Sequence, residues 1–210
     1  MQRLTFEFSL LQNSGVMTQT TAALIWFVGL IGWYVIRYPF ARRAKKMRVS
    51  KSLYDWRESL LLAFATLGLF VIPAFYAVTG FPAAFNRPFI AVIAWLGLVP
   101  LCASLWLFYR SHVDLGRYWS ISLEVRESHA LVETGVYRLI RHPMYSSFLL
   151  LGLSQLMLLP NWLAGTSGLV GAAAFLLFRM RREERMMIQT IGDGYRAYMA
   201  KTKRLIPWTL

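Results

Sequence analysis

The side chains best suited to chemistry lie in the C-terminal half of the chain, at the end of a long apolar segment. Arg179 stands one helical turn before Glu183, so these two side chains share a helix face, and Glu184 follows directly. An ionisable residue at membrane depth is costly to keep there and is by default a candidate functional residue. The spacing therefore predicts a site for a polar ligand at the boundary of the apolar segment.

A second polar group lies earlier in the same half of the chain. His142 stands directly before a proline, and Tyr137 and Tyr145 flank it. These rings can wall a ligand pocket, but interfacial tyrosines are also ordinary membrane anchors, and a lone histidine is commonly a structural hydrogen-bonding residue. The arginines from 179 to 185 can likewise contact lipid head groups, with Glu183 neutralising one of them. From the residues alone, both interpretations stay open.

Metal and disulfide chemistry are not expected. The histidines at 112, 129 and 142 have irregular spacing, and the single cysteine, Cys102, lies within an apolar run. A tetrahedral metal site needs several His, Cys or carboxylate ligands at suitable spacing, and a disulfide needs a second cysteine. We therefore predict neither a metal site nor an intrachain disulfide.

The composition indicates what kind of scaffold positions these groups. Apolar residues make up 57% of the chain and charged residues 16%, against about 45–50% and about 25% in soluble proteins. Uncharged runs extend over 8–36, 59–86, 88–109 and, with neutral histidine, 142–178, and about 20 apolar residues cross a bilayer. The net charge of +13 lies between these runs and not in the stripe expected of a nucleic-acid-binding surface. The sequence predicts an all-α integral membrane protein that binds no nucleic acid.

Five membrane helices are predicted. The last uncharged run is too long for one helix, and Pro160 and Asn161 near its middle predict a tight helical hairpin. The first arm of this hairpin is short for a hydrocarbon layer of about 30 Å, so it should lean on its neighbours or start below the membrane surface. Pro73 and Pro100 are expected to kink the second and third helices. The predicted spans are 20–40, 59–79, 89–109, 143–159 and 162–180.

The distribution of basic residues predicts the orientation in the membrane. Of the 23 lysines and arginines, 21 fall in alternate connecting segments, the asymmetry expected when these segments face the cytoplasm. Nine of the ten acidic residues lie on the same side. We therefore predict an outside N terminus, a cytoplasmic C terminus and a cytoplasmic site. The chain divides into an N-terminal extension (1–19), three membrane helices (20–109) and a C-terminal core with the hairpin and a cytoplasmic segment (110–210).

An ordered series of short motifs runs through the C-terminal half. It consists of Gly135-Val136-Tyr137, Arg141-His142-Pro143-Met144-Tyr145, Glu183-Glu184, Gly192 with Tyr195 and Tyr198, and Arg204 with Pro207. In this order and in this place relative to the membrane, the motifs resemble the isoprenylcysteine carboxyl methyltransferase family, which is related to the phospholipid N-methyltransferases. The resemblance covers about residues 114–207.

The resemblance implies S-adenosylmethionine as methyl donor, held in a cytoplasmic-face pocket that the C-terminal half forms. It makes Arg179, Glu183 and His142 the catalytic candidates, and Arg179 also matches an arginine near the substrate. Ser122 stands where the family has a glutamine. Carboxylates and aromatic faces suit the sulfonium cation of the donor. The positions that match cofactor contacts are His129, Ala130, Leu131, Val132, Tyr137, His142, Pro143, Met144, Tyr145, Glu183 and Glu184.

The resemblance also implies a lipophilic methyl acceptor, a small molecule or a prenylated substrate, reached among membrane lipids. A substrate carboxylate is already ionised near pH 7, so Arg179 need only orient it, which favours carboxyl O-methylation of an isoprenylcysteine-type substrate. A phospholipid amine must first lose a proton, for which His142 or a glutamate is the candidate base. A hydrophobic thiol is a further acceptor. Membrane reductases and a non-enzymatic membrane protein are the alternatives outside this chemistry.

Overall fold

The computed structural model describes residues 17–44, 46, 49–52, 55–119, 124–126 and 131–207. The regular structure in these ranges is almost entirely helical, which confirms the all-α prediction. The connections between the longer helices contain three single 3₁₀ turns, at Ala83–Phe85, Gly116–Tyr118 and Gly135–Arg138. In chain order the elements are α1 (Gln19–Ala44), β1 (Val49–Ser52), α2 (Trp56–Thr66), a π-helical segment (Leu67–Val71), α3 (Ile72–Thr79), α4 (Ala91–Leu115), β2 (Glu124–Arg126), α5 (Pro143–Leu158), α6 (Trp162–Ile191) and α7 (Asp193–Lys201).

The apolar helices are those of an integral membrane protein. Four helical stretches are long and apolar enough to cross a bilayer: α1, the continuous stretch Trp56–Thr79, α4 and α6. Helix α5 has 16 residues, which at about 1.5 Å per residue is about 24 Å and shorter than the hydrocarbon layer. As predicted, it leans on its neighbours and packs between α4 and α6. Large apolar side chains such as Val28, Val78 and Val99 are exposed, as expected of a lipid-facing surface.

Pro73 distorts the second membrane stretch through a π-helical turn. The proline has no N–H to donate, and the helix widens over Leu67–Val71 so that the Ile72 N–H donates to the Leu67 carbonyl. The same turn lies very close to α6, because a Cβ on Gly68 would lie 2.3 Å from the Ser167 carbonyl oxygen. The π-helical segment is therefore held against α6, and Leu69 and Phe70 point into the cavity described below.

The α5–α6 hairpin forms where it is predicted. Asn161 caps α6 by accepting a hydrogen bond from the Ala164 N–H at 2.9 Å, and its own amide donates to the Pro82 carbonyl and the Asn86 side chain, each at 2.9 Å. The two arms approach closely at Gly152, where a Cβ would lie 2.7 Å from the Leu169 nitrogen. The tip of the hairpin is thus fixed by its hydrogen bonds to the connection between α3 and α4, and Gly152 lets the two arms pack closely along their length.

Helix α6 continues well beyond the predicted span, which ends at residue 180. Arg, Glu, Met and Gln dominate the extension and are good helix formers, so the helix runs on past the apolar region until Gly192, at φ 71°, ends it. Apolar and polar residues alternate from Ile121 to Val125, a pattern that predicts an extended segment. The described part of this stretch lies in β2, which pairs antiparallel with β1. Residues 120–123 lie outside the described ranges.

Candidate functional site

A cavity of about 230 Å³ lies where α1, α2, the π-helical segment, α5, α6 and α7 meet. One part of its wall is polar and aromatic, and the other is apolar. The polar and aromatic wall consists of Arg37, Tyr118, Trp119, Tyr137, Arg141, His142, Tyr145, Arg179, Glu183, Tyr195 and Tyr198, and the apolar wall includes Trp33, Leu62, Leu69, Phe70, Phe148, Ala172, Phe175, Met186 and Met187.

The turn before α5 carries one side of the polar wall. Gly135 has φ 59°, and a Cβ at this position would lie 2.0 Å from the Asp114 Oδ2 atom. This close approach lets the Asp114 carboxylate accept the Val136 N–H at 2.8 Å. Tyr137, the next residue, turns inward and its hydroxyl donates to the Ser111 carbonyl at 3.4 Å. Burial raises the pKa of Tyr137 well above its usual value, so it is a neutral donor.

Replacing Gly135 with alanine is expected to disrupt this wall. The substitution adds a Cβ both in the left-handed region and against a carboxylate, so it must break the Asp114–Val136 contact and displace Tyr137. We expect at least about a tenfold loss of ligand affinity for the cavity, with a modest loss of stability. Gly80→Ala is the matched control, because Gly80 also has positive φ (71°) but meets nothing within 4 Å. If calorimetry gives Gly135→Ala and Gly80→Ala the same affinity for a ligand of the cavity, then the turn at Gly135 does not hold Tyr137 in place for binding.

Glu183 and Tyr145 meet inside the cavity. The Tyr145 hydroxyl donates a short hydrogen bond to the Glu183 Oε2 atom. The Tyr145 ring also stacks on His142, with ring centroids 5.3 Å apart and an interplanar angle of 25°. Glu183, which is far from His142 and Tyr145 in sequence, thus forms one continuous polar and aromatic surface with them at the start of α5 and the end of the apolar part of α6.

Arg179 lies on the same wall but pairs with a residue that sequence reasoning missed. Its Nη1 atom lies 2.8 Å from the Oε1 atom of Glu58, at the start of α2, and both side chains are buried. The guanidinium also lies over the Phe175 ring, 4.9 Å from its centroid. The only sequence signal was that Glu58 directly precedes an uncharged run, so it lies at the membrane boundary.

Glu184 points away from the cavity and joins two other parts of the chain. Its carboxylate lies 3.2 Å from Arg141 Nε, 3.3 Å from His142 Nε2 and 3.1 Å from Arg204 Nη2. It is not among the cavity-lining residues, so its predicted contact with a cofactor stays a prediction. In the structure it ties the residues before α5 to those after α7.

The segment after α7 completes this connection. The Arg141 and His142 N–H groups donate to the carbonyls of Lys203 and Arg204, at 2.8 and 3.0 Å. From α7, the Tyr198 hydroxyl donates to the Tyr137 carbonyl at 2.6 Å. Burial raises the pKa of Tyr198 to about 12, so this donor keeps its proton at every physiological pH. Helix α7 and the segment after it therefore hold the residues before α5, including Tyr137, in place.

The structure brings most of the predicted site residues to one cavity. Leu131, Val132, Tyr137, His142, Pro143, Met144, Tyr145, Arg179 and Glu183 all line it. His129 and Ala130 lie outside the described residues. Within the described part of the chain, no three His, Cys, Asp or Glu side chains are grouped to hold a metal ion.

The model of the isoprenylcysteine carboxyl methyltransferase family matches residues 95–189. This part of the chain is similar to that family. It runs from α4 through most of α6 and contains Tyr137, His142, Tyr145, Arg179 and Glu183. Helices α1 to α3 and α7 lie outside the match, so Arg37, Glu58, Tyr195 and Tyr198 are contributed from beyond it.

The chain is also similar to three curated proteins. The chain is 29% identical over 109 residues to the protein-S-isoprenylcysteine O-methyltransferase of Schizosaccharomyces pombe, covering 51% of this chain and 46% of the relative. It is 30% identical over 98 residues to protein-S-isoprenylcysteine O-methyltransferase B of Arabidopsis thaliana, covering 46% and 50%. It is 27% identical over 119 residues to the methanethiol S-methyltransferase of Mycobacterium tuberculosis, covering 54% and 46%. The match spans about half the length of each of these relatives.

Proposed function

We propose that the chain is an integral membrane methyltransferase that transfers the methyl group of S-adenosylmethionine to a lipophilic acceptor. The observation that carries the proposal is the Glu183 carboxylate, set among tyrosines in the cavity, while the charge of neighbouring Arg179 is already matched by Glu58. This part of the wall is net negative and suits a sulfonium cation. The names of the family and of its relatives support the same reaction class.

The residues present fit the donor. Glu183 offsets the cationic centre or accepts hydrogen bonds from ribose hydroxyls, and His142, Tyr137 and Tyr145 supply aromatic surface. When bound, S-adenosylmethionine supplies an electrophilic methyl group for in-line transfer. The task of the chain is to align the two reactants and to keep water out, and the apolar wall with Phe148 and Phe175 does the latter.

The first candidate acceptor is the carboxylate of an isoprenylcysteine-type substrate, free or on a prenylated protein. The names of the fission yeast and Arabidopsis relatives support it, and the apolar wall suits a hydrocarbon chain that arrives from the membrane lipids. A hydrophobic thiol is the second candidate, which the name of the Mycobacterium tuberculosis relative favours. We further propose an outside N terminus and a cytoplasmic C terminus and site, on the distribution of basic residues.

Methyl transfer from labelled donor tests the role of Glu183. In purified full-length protein, Glu183→Gln is expected to reduce transfer at least about a hundredfold, because it removes a partly buried charge-assisted contact while keeping the shape of the side chain. Glu133→Gln is the matched control, since Glu133 is exposed and lies outside the cavity lining. Donor affinity and transfer in Glu183→Gln equal to those of the wild type would refute this role.

The dependence of the rate on pH distinguishes the acceptor classes. A carboxylate has a pKa near about 4, so it is fully ionised above about pH 6 and the rate should be flat from there to about pH 9. Tyr198, with its pKa raised to about 12, adds no titration in this window. A rate that rises towards about pH 8.5 would instead report a thiol that must lose its proton, and would reject the carboxylate.

A further inference from the structure

The cavity contains three guanidinium groups, and one of them, that of Arg37, is not neutralised by any acidic side chain that the structure describes. Arg179 pairs with Glu58, but Arg37 of α1 forms no ion pair with any acidic side chain that the structure describes. Arg37 is half-buried and lines the cavity. A cation removed from water without a counterion is costly, and a ligand that carries a negative charge offsets that cost.

Two tryptophan rings hold Arg37 in place. Its Cζ atom lies 5.3 Å from the Trp33 ring centroid and 5.1 Å from that of Trp119. Both rings also line the cavity. Cation–π contacts of this kind orient a guanidinium without neutralising its charge, so its N–H groups stay available to an anion.

The surroundings of Arg37 indicate what the anion is attached to. The Trp33 ring lies 4.9 Å from the Phe70 ring and 6.5 Å from the Phe148 ring, which belong to the apolar wall. An anionic group at Arg37 therefore has hydrocarbon-binding surface directly beside it. Glu183, which carries the opposite charge, lines the same cavity.

We propose that Arg37 binds the carboxylate of the lipophilic acceptor and is a specificity-determining residue of the site. The inference rests on the proposed function, which it deepens by naming an anionic lipophile as substrate class and a residue of α1 as its anchor. Arg37 lies outside the part of the chain that matches the family, so α1 contributes acceptor selection to a core that binds the donor. In this arrangement the unmatched negative charge of Glu183 faces the cationic donor, and the unmatched positive charge of Arg37 faces the anionic acceptor.

The test compares two ligands of nearly the same shape: N-acetyl-S-farnesylcysteine, which has a negatively charged carboxylate, and its neutral carboxamide. Binding of both is measured by calorimetry to detergent-purified full-length protein without donor, and binding of S-adenosylhomocysteine is measured separately. The variants are Arg37→Gln and Arg37→Lys, and Arg43→Gln is the matched control because Arg43 is exposed on the same helix. Thermal unfolding curves confirm that each variant is folded.

We expect the wild type and Arg43→Gln to prefer the carboxylate by at least about tenfold, Arg37→Lys to keep part of that preference, and Arg37→Gln to lose it. Affinity for S-adenosylhomocysteine should stay within about twofold in Arg37→Gln. No preference in the wild type, or a preference that survives Arg37→Gln, overturns the inference. So does a loss of S-adenosylhomocysteine affinity with the preference intact, because the anion would then be the carboxylate of the donor itself.

The same measurements separate this inference from the proposed function. If the protein prefers the carboxylate in an Arg37-dependent way but binds no donor and transfers no methyl group, the proposed methyltransferase activity is refuted and the carboxylate site is not. If the protein transfers methyl groups but Arg37→Gln still prefers the carboxylate to the carboxamide, the carboxylate site at Arg37 is refuted and the methyltransferase activity is not.

Discussion

Glu184→Ala is expected to lower the free energy of unfolding by about 3–5 kcal/mol, since it leaves a buried group of basic side chains without a counterion. The side chains of Glu184 and Arg141 are only 6% and 7% exposed, and His142 lies in the same group at 3.3 Å. Arg204, which is 45% exposed, loses its carboxylate partner as well. The connection between the start of α5 and the segment after α7 should therefore open.

Thermal unfolding in detergent, together with limited trypsin digestion, measures this effect. We expect a clearly lower melting temperature and faster cleavage after Lys203 and Arg204, whose carbonyls are otherwise held by the backbone of Arg141 and His142. Glu133→Ala removes an exposed carboxylate and should change the free energy of unfolding by no more than about 0.5 kcal/mol. If Glu184→Ala and Glu133→Ala have the same melting temperature, Glu184 does not hold the C-terminal segment.

The second large effect is expected at the Glu58–Arg179 pair. Glu58→Leu and Arg179→Leu should each destabilise the protein by about 3–5 kcal/mol, because each leaves one buried charge unpaired. Glu58 is fully buried and Arg179 is 7% exposed, so neither charge can be solvated by water. The double variant Glu58→Leu/Arg179→Leu should be more stable than either single variant, because it leaves no unpaired charge.

A double-mutant cycle measures the coupling between these two residues. We expect a coupling free energy of about 2–3 kcal/mol. The Asp55–Arg182 pair, also at the start of α2 and in α6, is the matched comparison, with side chains 40% and 29% exposed. Its coupling should be clearly smaller because water screens it. Additive effects at Glu58 and Arg179 would mean that the pair does not fix the guanidinium.

The helices could be predicted because each membrane segment has a direct compositional signature. Uncharged runs gave the five apolar helices, and Pro160 with Asn161 gave the hairpin, whose N-cap is the predicted turn residue. The end of α6 could not be found in this way. Hydropathy records where the apolar region stops, whereas the helix ends only where Gly192 breaks it.

The site was only partly predictable, since sequence spacing describes neighbours on one helix and not partners on another. Arg179 and Glu183 do line the same cavity, as their one-turn spacing predicts. Adjacent residues on a helix point about 100° apart, which is why Glu184 leaves the cavity that Glu183 faces. Glu58 and Arg37 were visible only as charges beside apolar runs, and tertiary packing alone turns them towards the site.

The central claim is that the cavity binds S-adenosylmethionine. Calorimetry on detergent-purified full-length protein tests it directly, with S-adenosylmethionine and S-adenosylhomocysteine as ligands and nicotinamide adenine dinucleotide phosphate as the control. We predict one-to-one binding of the first two ligands at micromolar affinity, lost in Glu183→Gln, and no binding of the nicotinamide dinucleotide. A folded protein that binds neither S-adenosyl compound, or that binds only the nicotinamide dinucleotide, would contradict the account.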